Sequence, residues 1–180
     1  MITYQKADKG LYIDFKNDLE TLYLITFTKG ISAQQITNEE AEVYLKNLFE
    51  EGYGIFGFSD NKLISALLTT PISHDKDRPD NFKKLYDDND TLYIDEVLVD
   101  ENFRGQGLGK KLMQYFEKHL DERIKNVLLR VWKENKPAVA LYEKMGFQIC
   151  GEITEEKVRP KTQRHRHSCL HQSKHRAFPT

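Results

Sequence analysis

The residues from Glu96 to Leu120 constrain the fold more than any other stretch of the chain. An apolar run, Val97-Leu98-Val99, leads through an acidic turn, Asp100-Glu101-Asn102-Phe103, into Arg104-Gly105-Gln106-Gly107-Leu108-Gly109-Lys110. A β-branched run of this kind reads as a buried strand. Behind the glycines, Leu108, Leu112, Tyr115, Phe116 and His119 recur at helical spacing, so a helix begins near Gly107. Glycines at alternate positions let the backbone turn sharply and approach a ligand closely. The first N–H groups of a helix have no partners within it, and the helix dipole adds partial positive charge there. Such a turn binds a phosphate through its backbone, and Arg104 and Lys110 add full charges beside it.

Two familiar nucleotide loops are excluded. The dinucleotide fingerprint G-x-G-x-x-G needs a third glycine where this chain has Lys110. The P-loop needs Ser or Thr after Gly-Lys and a glycine five residues before the last one, and those positions hold Lys111 and Arg104. What remains is R-x-x-G-x-G, Arg104 to Gly109.

The rest of the chain reads as a single α/β domain. Ile2–Ala7 alternates weakly, as a strand does. Phe15, Leu19, Leu22 and Ile25 mark a helix from about Leu11 to Phe27, with Gly30 closing that helix or the loop after it. Thr37-Asn38-Glu39-Glu40 is a capping box opening a second helix that ends before Gly52. Tyr53–Phe58 and Leu63–Thr70 are strands joined by a polar turn. Pro71–Asp90 is a long polar loop with one helical turn after Pro79. Thr91–Val99 is the strand feeding the glycine loop, and Asn126–Trp132 is another. Asn135–Phe147 is a short helix with Pro137 at its first position and Gly146 closing it; Phe147–Thr154 is a strand. This order mixes an antiparallel meander with parallel crossovers.

Two motifs in series resemble the GNAT (general N-acetyltransferase) superfamily. Arg104–Gly109 resembles its acyl-CoA pyrophosphate loop. Asn135, Ala138 and Leu141-Tyr142-Glu143-Lys144-Met145-Gly146-Phe147, about 30 residues further on, look like its C-terminal CoA-binding helix. The resemblance spans roughly residues 2–154. It implies a mixed sheet of six to seven strands flanked by about four helices, and transfer of acetyl from acetyl-CoA to a primary amine of a small molecule or peptide. Mapped onto this chain, the resemblance assigns the pyrophosphate to Arg104, Gly105, Gln106, Gly107, Leu108, Gly109 and Lys110. The pantetheine arm would pair with the backbone of Val97, Leu98 and Val99, with Leu98 N–H facing the oxyanion; Asn135, Ala138 and Tyr142 would complete the donor site.

The chemistry sets its own demands. A free amine, with a pKa of about 10 by analogy with lysine, must lose a proton before it attacks. The departing thiolate benefits from a proton, which a phenol can supply. The resemblance implies Tyr142 as that acid, with Asp95 and Glu96 as base candidates, acting directly or through a chain of waters. Neighbours on a strand face opposite ways, so only one of the two meets the cleft directly unless a bulge intervenes. The acceptor would be chosen by Lys29–Thr37 and by the Pro71–Asp90 loop. His74, in that loop, reads as a solvated residue.

The remaining expectations concern compartment and partners. The formal net charge of −1 points to neither nucleic acid nor a membrane surface. No signal-like segment opens the chain, and no apolar run approaches the ~18 residues of a membrane span, so the cytosol is the expected compartment. Cys150 and Cys169 have no metal or disulfide-framework spacing, and no metal is expected. A non-catalytic acyl-CoA-binding module is the main rival reading. Beyond residue 157 the composition turns basic and histidine-rich, with few apolar residues. Residues 158–180 therefore read as a disordered or non-native tail following a domain of residues 1–157. A sheet lacking its last strand would keep an open edge, which a second copy of the chain could pair to make a homodimer.

Overall fold

The structure is a computed structural model describing residues 1–29, 33–158 and 164–175. In chain order it contains β1 (Ile2–Ala7), α1 (Lys9–Asp14), α2 (Lys16–Thr28), α3 (Asn38–Glu51), β2 (Tyr53–Ser59), β3 (Lys62–Pro71), α4 (Asp80–Leu85) and β4 (Thr91–Val99). Then come α5 (Leu108–Lys118), β5 (Asn126–Trp132), α6 (Lys136–Lys144), β6 (Gln148–Val158) and β7 (Arg164–His175). Short 3-10 turns at Ile72–His74 and Glu101–Phe103 flank β4's loops. The seven strands form one sheet in the order β1-β2-β3-β4-β5-β7-β6. Among the described residues, only β4 and β5 pair in parallel.

Local chemistry explains most of the boundaries. At α3 the Thr37 hydroxyl accepts from Glu40 N–H at 3.2 Å, while Glu40 carboxylate accepts from Thr37 N–H at 2.8 Å. That reciprocal cap contributes about 1 kcal/mol. Asp60 and Asn61 both take positive φ in the β2–β3 turn, matching the right-handed twist of the strands. The helix read over Leu11–Phe27 is two helices, because Phe15 leaves helical geometry (φ −114°, ψ 20°). Gly30 lies outside the described residues. Pro137 occupies the second position of α6, after Lys136. That helix closes with Phe147 N–H donating to Tyr142 C=O and Gly146 N–H to Glu143 C=O, both at 3.0 Å.

The sheet carries helices on both faces. Leu19, Leu22, Leu45, Leu48 and Phe49 of α2 and α3 bury against Phe56, Leu68 and Leu98 on one face. On the other, Leu112, Met113 and Phe116 of α5 and Tyr142 of α6 pack on Ile55, Leu67, Ile94 and Leu129. A small third cluster, Ile72, Phe82, Tyr86, Tyr93 and Leu128, fastens the loop around α4 to the sheet. Among the described residues there are six α-helices rather than four; the extra two come from the break at Phe15 and from the short α4.

The tail expectation needs correction. Residues 164–175 are not disordered: they form β7, inserted between β5 and β6 and antiparallel to both. Cys169, Leu170, His171, Gln172 and Ser173 are buried there. An interior strand satisfies its backbone on both sides, so it needs less side-chain hydrophobicity than a free segment; the composition argument omitted that contribution. His167, His171 and His175 lie on this strand. The premise for pairing a second copy, a missing last strand, falls with it. Residues 159–163 and 176–180 lie outside the described residues.

Leu170 tests this assignment, because it is 6% exposed within the α5–α6 core. Leu170→Ala is expected to lower the unfolding free energy by about 2–5 kcal/mol, measured by urea denaturation. A loss below 0.5 kcal/mol would mean that β7 does not carry this side chain into the core.

Candidate active site

The site is built where β4 leaves β5. Their parallel pairing runs from Thr91↔Asn126 to Ile94↔Leu129 and stops. Beyond it β4 stays paired to β3, through Glu96↔Leu68 to Val99↔Ser65, while β5 continues alongside β7. The register jumps between Leu68 and Thr69: Leu68 faces Glu96 and Thr69 faces Ile94, so Asp95 is an extra residue without a partner. This is a β-bulge, which bends and twists its strand and re-aims side chains. Asp95 and Glu96 consequently line one and the same cavity. Of the two arrangements left open by the sequence, the bulged one is found.

Two concavities meet at this fork. A cavity of about 420 Å³ is walled by Asp95, Glu96, Tyr44 and His74, among others. A groove of about 880 Å³ runs along Val97 and Val99 to the glycine loop and over α6. Val97, Asn135, Ala138 and Tyr142 border both. Leu98 borders neither; its side chain is fully buried against the α2–α3 layer, as strand alternation requires.

The loop has the form of an anion cradle. Gly105 and Gly107 take φ of +76° and +75°, and an added Cβ at either would meet nothing within 4 Å. The backbone there is thus open on its outer side, in a conformation that favours glycine. Gly107 caps α5, whose first amides follow directly. Leu108 is buried and anchors the helix start. Gly109 lies against Leu141, where a Cβ would come within 3.0 Å, so a small residue sets how closely α5 meets α6. Arg104 and Lys110 border the groove; Arg104 Nε donates to Val99 C=O at 3.3 Å. Gln106 does not border it: its amide donates to Asn102 C=O at 3.5 Å. Asn135 caps α6, its carboxamide oxygen accepting from Ala138 N–H at 3.4 Å.

The cavity is rich in titratable groups. Asp95, with a side chain 4% exposed, accepts from the Thr70 hydroxyl at 2.8 Å and lies 3.3 Å from His74 Nδ1. Burial raises its pKa above the usual carboxylate value, opposed by those two donors. His74 is raised in turn, chiefly by the Asp95 carboxylate, against the opposing effect of its own burial. Glu96 accepts from the Tyr44 hydroxyl at 2.9 Å. Tyr142 is held above the ordinary phenol value by burial and then by the charge of Glu96, so it stays protonated, a donor, at neutral pH. Gln34, from the segment after α2, and His74 to Asp77, from the Pro71–Asp90 loop, contribute to the walls. His74 was legible in sequence only as a loop histidine. What places it is the 3-10 turn after Pro71, tied down by Ile72 in the third core cluster.

Over residues 17–147 the chain matches the acetyltransferase (GNAT) family, and it belongs to that family. It is 36% identical over 67 residues to spermine/spermidine N(1)-acetyltransferase of Bacillus subtilis, a stretch covering 36% of this chain and 44% of that protein. It is 32% identical over 77 residues to a peptidyl-lysine N-acetyltransferase of Salmonella typhimurium, covering 43% and 48%. The chain thus spans less than half the length of either relative. In three dimensions it superposes on ribosomal-protein-alanine N-acetyltransferase from Brucella melitensis with a TM-score of 0.70 at 16% identity, over 96% of this chain and 99% of that one. A Salmonella typhimurium structure described as a putative acetyltransferase with its cofactor acetyl-CoA gives 0.69 at 13% identity, over 100% and 98%. These two share the fold.

The His74–Asp95 pair has a pH signature. A histidine whose folded pKa is raised stabilises the fold fully below its ordinary value near 6.5, and the contribution disappears as pH rises through the folded value. The stability difference between wild type and His74→Gln is therefore expected to be largest near pH 5.5 and to shrink above pH 6.5. Urea unfolding across pH 5.5–9 reads it, and a difference independent of pH would show that the pair does not form.

Proposed function

We propose that this chain is an acetyl-CoA-dependent N-acetyltransferase that moves acetyl from the thioester to a primary amine of a small molecule or peptide by direct attack. The observation carrying the reading is the junction itself: a groove ending in a backbone anion cradle opens, past Val97, Asn135 and Tyr142, into a cavity holding two carboxylates. The residues fit the donor. Beyond Ile94, where β4 leaves its ladder with β5, the strand offers an extended backbone for the pantetheine arm. The positive-φ glycines and the start of α5, with Arg104 and Lys110 beside them, suit the pyrophosphate.

When bound, acetyl-CoA supplies an acyl carbon activated by its sulfur. This chain's residues would then manage protons. Asp95 and Glu96 form an acidic wall that attracts the acceptor's ammonium to a cavity where a base takes its proton. Tyr142, protonated and bordering both concavities, suits delivery of a proton to the leaving sulfur. The N–H of Leu98 is the proposed donor to the developing oxyanion. A binding module without catalysis is the weaker reading, because binding alone needs neither a buried phenol nor two convergent carboxylates. The cytosol is part of this proposal; among the described residues no helix is long and apolar enough to cross a membrane.

The test pairs binding with turnover. Isothermal titration of acetyl-CoA is expected to show micromolar binding that Arg104→Glu combined with Gly107→Trp abolishes. With a panel of amines followed by thiol release, Tyr142→Phe is expected to keep that binding and lose 10-fold or more in kcat. Absence of acetyl-CoA binding by the wild type would overturn the proposal; binding without thiol release from any amine would favour the module.

A further inference from the structure

We propose that His74, held at Nδ1 by Asp95, is the base that takes the proton from the acceptor amine. The inference rests on the acetyltransferase reading and names the group within that site. Asp95 is poorly suited to act directly. One of its oxygens accepts from Thr70 and the other faces His74, inside a side chain that is 4% exposed. Its geometry is that of a carboxylate that orients an imidazole and stabilises its charged form. His74 differs on each count. It borders the same cavity, its side chain is 22% exposed, and among the described residues no partner occupies its Nε2. With Nδ1–H directed to Asp95, Nε2 keeps the lone pair that a base needs. Glu96 is engaged by the Tyr44 hydroxyl and serves as the fixed negative charge that attracts the ammonium.

The step balances within these groups. An N–H bond of the acceptor's ammonium breaks, its electron pair stays on nitrogen, and the proton forms the Nε2–H bond of an imidazolium paired with Asp95. His74 returns that proton to water on its exposed side. The charges bearing on His74 come from three directions: Asp95 on β4, Glu51 at the end of α3, and Lys76 two residues along the same loop, the carboxylates raising its pKa and the ammonium lowering it. The balance leaves a base whose pKa lies above the ordinary imidazole value, chiefly because of the Asp95 carboxylate.

The experiment uses the full chain, with acetyl-CoA as probe, in water alone and with the amine panel. Wild type, His74→Ala and Asp95→Asn are compared by calorimetry, by thiol release against pH, and by NMR titration of the His74 ring. His74→Ala is expected to bind acetyl-CoA like the wild type and to release thiol 10²–10⁴-fold more slowly. It should also lose the acid limb of the rate profile and be partly rescued by added imidazole. Asp95→Asn is expected to move both the ring's titration and the acid limb to lower pH. A His74→Ala variant that keeps its rate and acid limb overturns the proposal and returns the role to Glu96. A ring titration unmoved in Asp95→Asn overturns the pairing. Failure of the wild type to bind acetyl-CoA sinks the acetyltransferase reading itself, and binding without thiol release in any condition removes the base role with it.

Discussion

The site depends on one defect in one ladder. β4 has an extra residue at Asp95, and from that point its parallel pairing with β5 is lost. A regular strand would have continued beside β5, filled the fork with backbone hydrogen bonds and sent Asp95 and Glu96 to opposite faces. The bulge gives up a few sheet contacts and in return opens an extended edge, a cavity and a shared orientation for two carboxylates. The neighbouring structure compensates: β3 holds β4 along its other side, and α2 and α3 bury Leu98 beneath it.

Each half of the site draws on a different kind of interaction. The proposed donor half is mostly backbone: αL glycines, the first amides of a helix, and the edge of β4 beyond its ladder with β5. Such groups are fixed by the fold and cost little to organise when an anion arrives. The acceptor half is side chains in a low-dielectric setting, where burial and neighbouring charge shift proton affinities. Asp95, His74 and Tyr142 are all displaced upward there, the carboxyl and phenol by desolvation and the imidazole by its carboxylate neighbour. In the proposed function, generic recognition of the donor would thereby be separated from whatever distinguishes one amine from another.

β7 shows where compositional reasoning loses information. A segment that holds histidines, glutamine, serine and lysine looks unable to bury itself. Inserted between two strands, it is required only to complete two ladders and to offer Cys169 and Leu170 to the core. Much of the energy of such a strand comes from partners on β5 that are 37 to 49 residues away, and a local window does not contain them.

Much of the donor half was legible because its determinants are local. The glycine spacing from Gly105 to Gly109, the capping box at Thr37 and the closing signals at Gly146 and Phe147 act within a turn or two, so the residue order states the geometry directly. The sequence by itself determined the strand-loop-helix cradle, the family resemblance and the short list of Asp95, Glu96 and Tyr142. Only the tertiary structure decided that a bulge turns both carboxylates into one cavity, that His74 arrives beside Asp95, and that the last strand exists at all. Those facts arise from register and from contacts between distant segments, and register is settled by the whole sheet closing around its core.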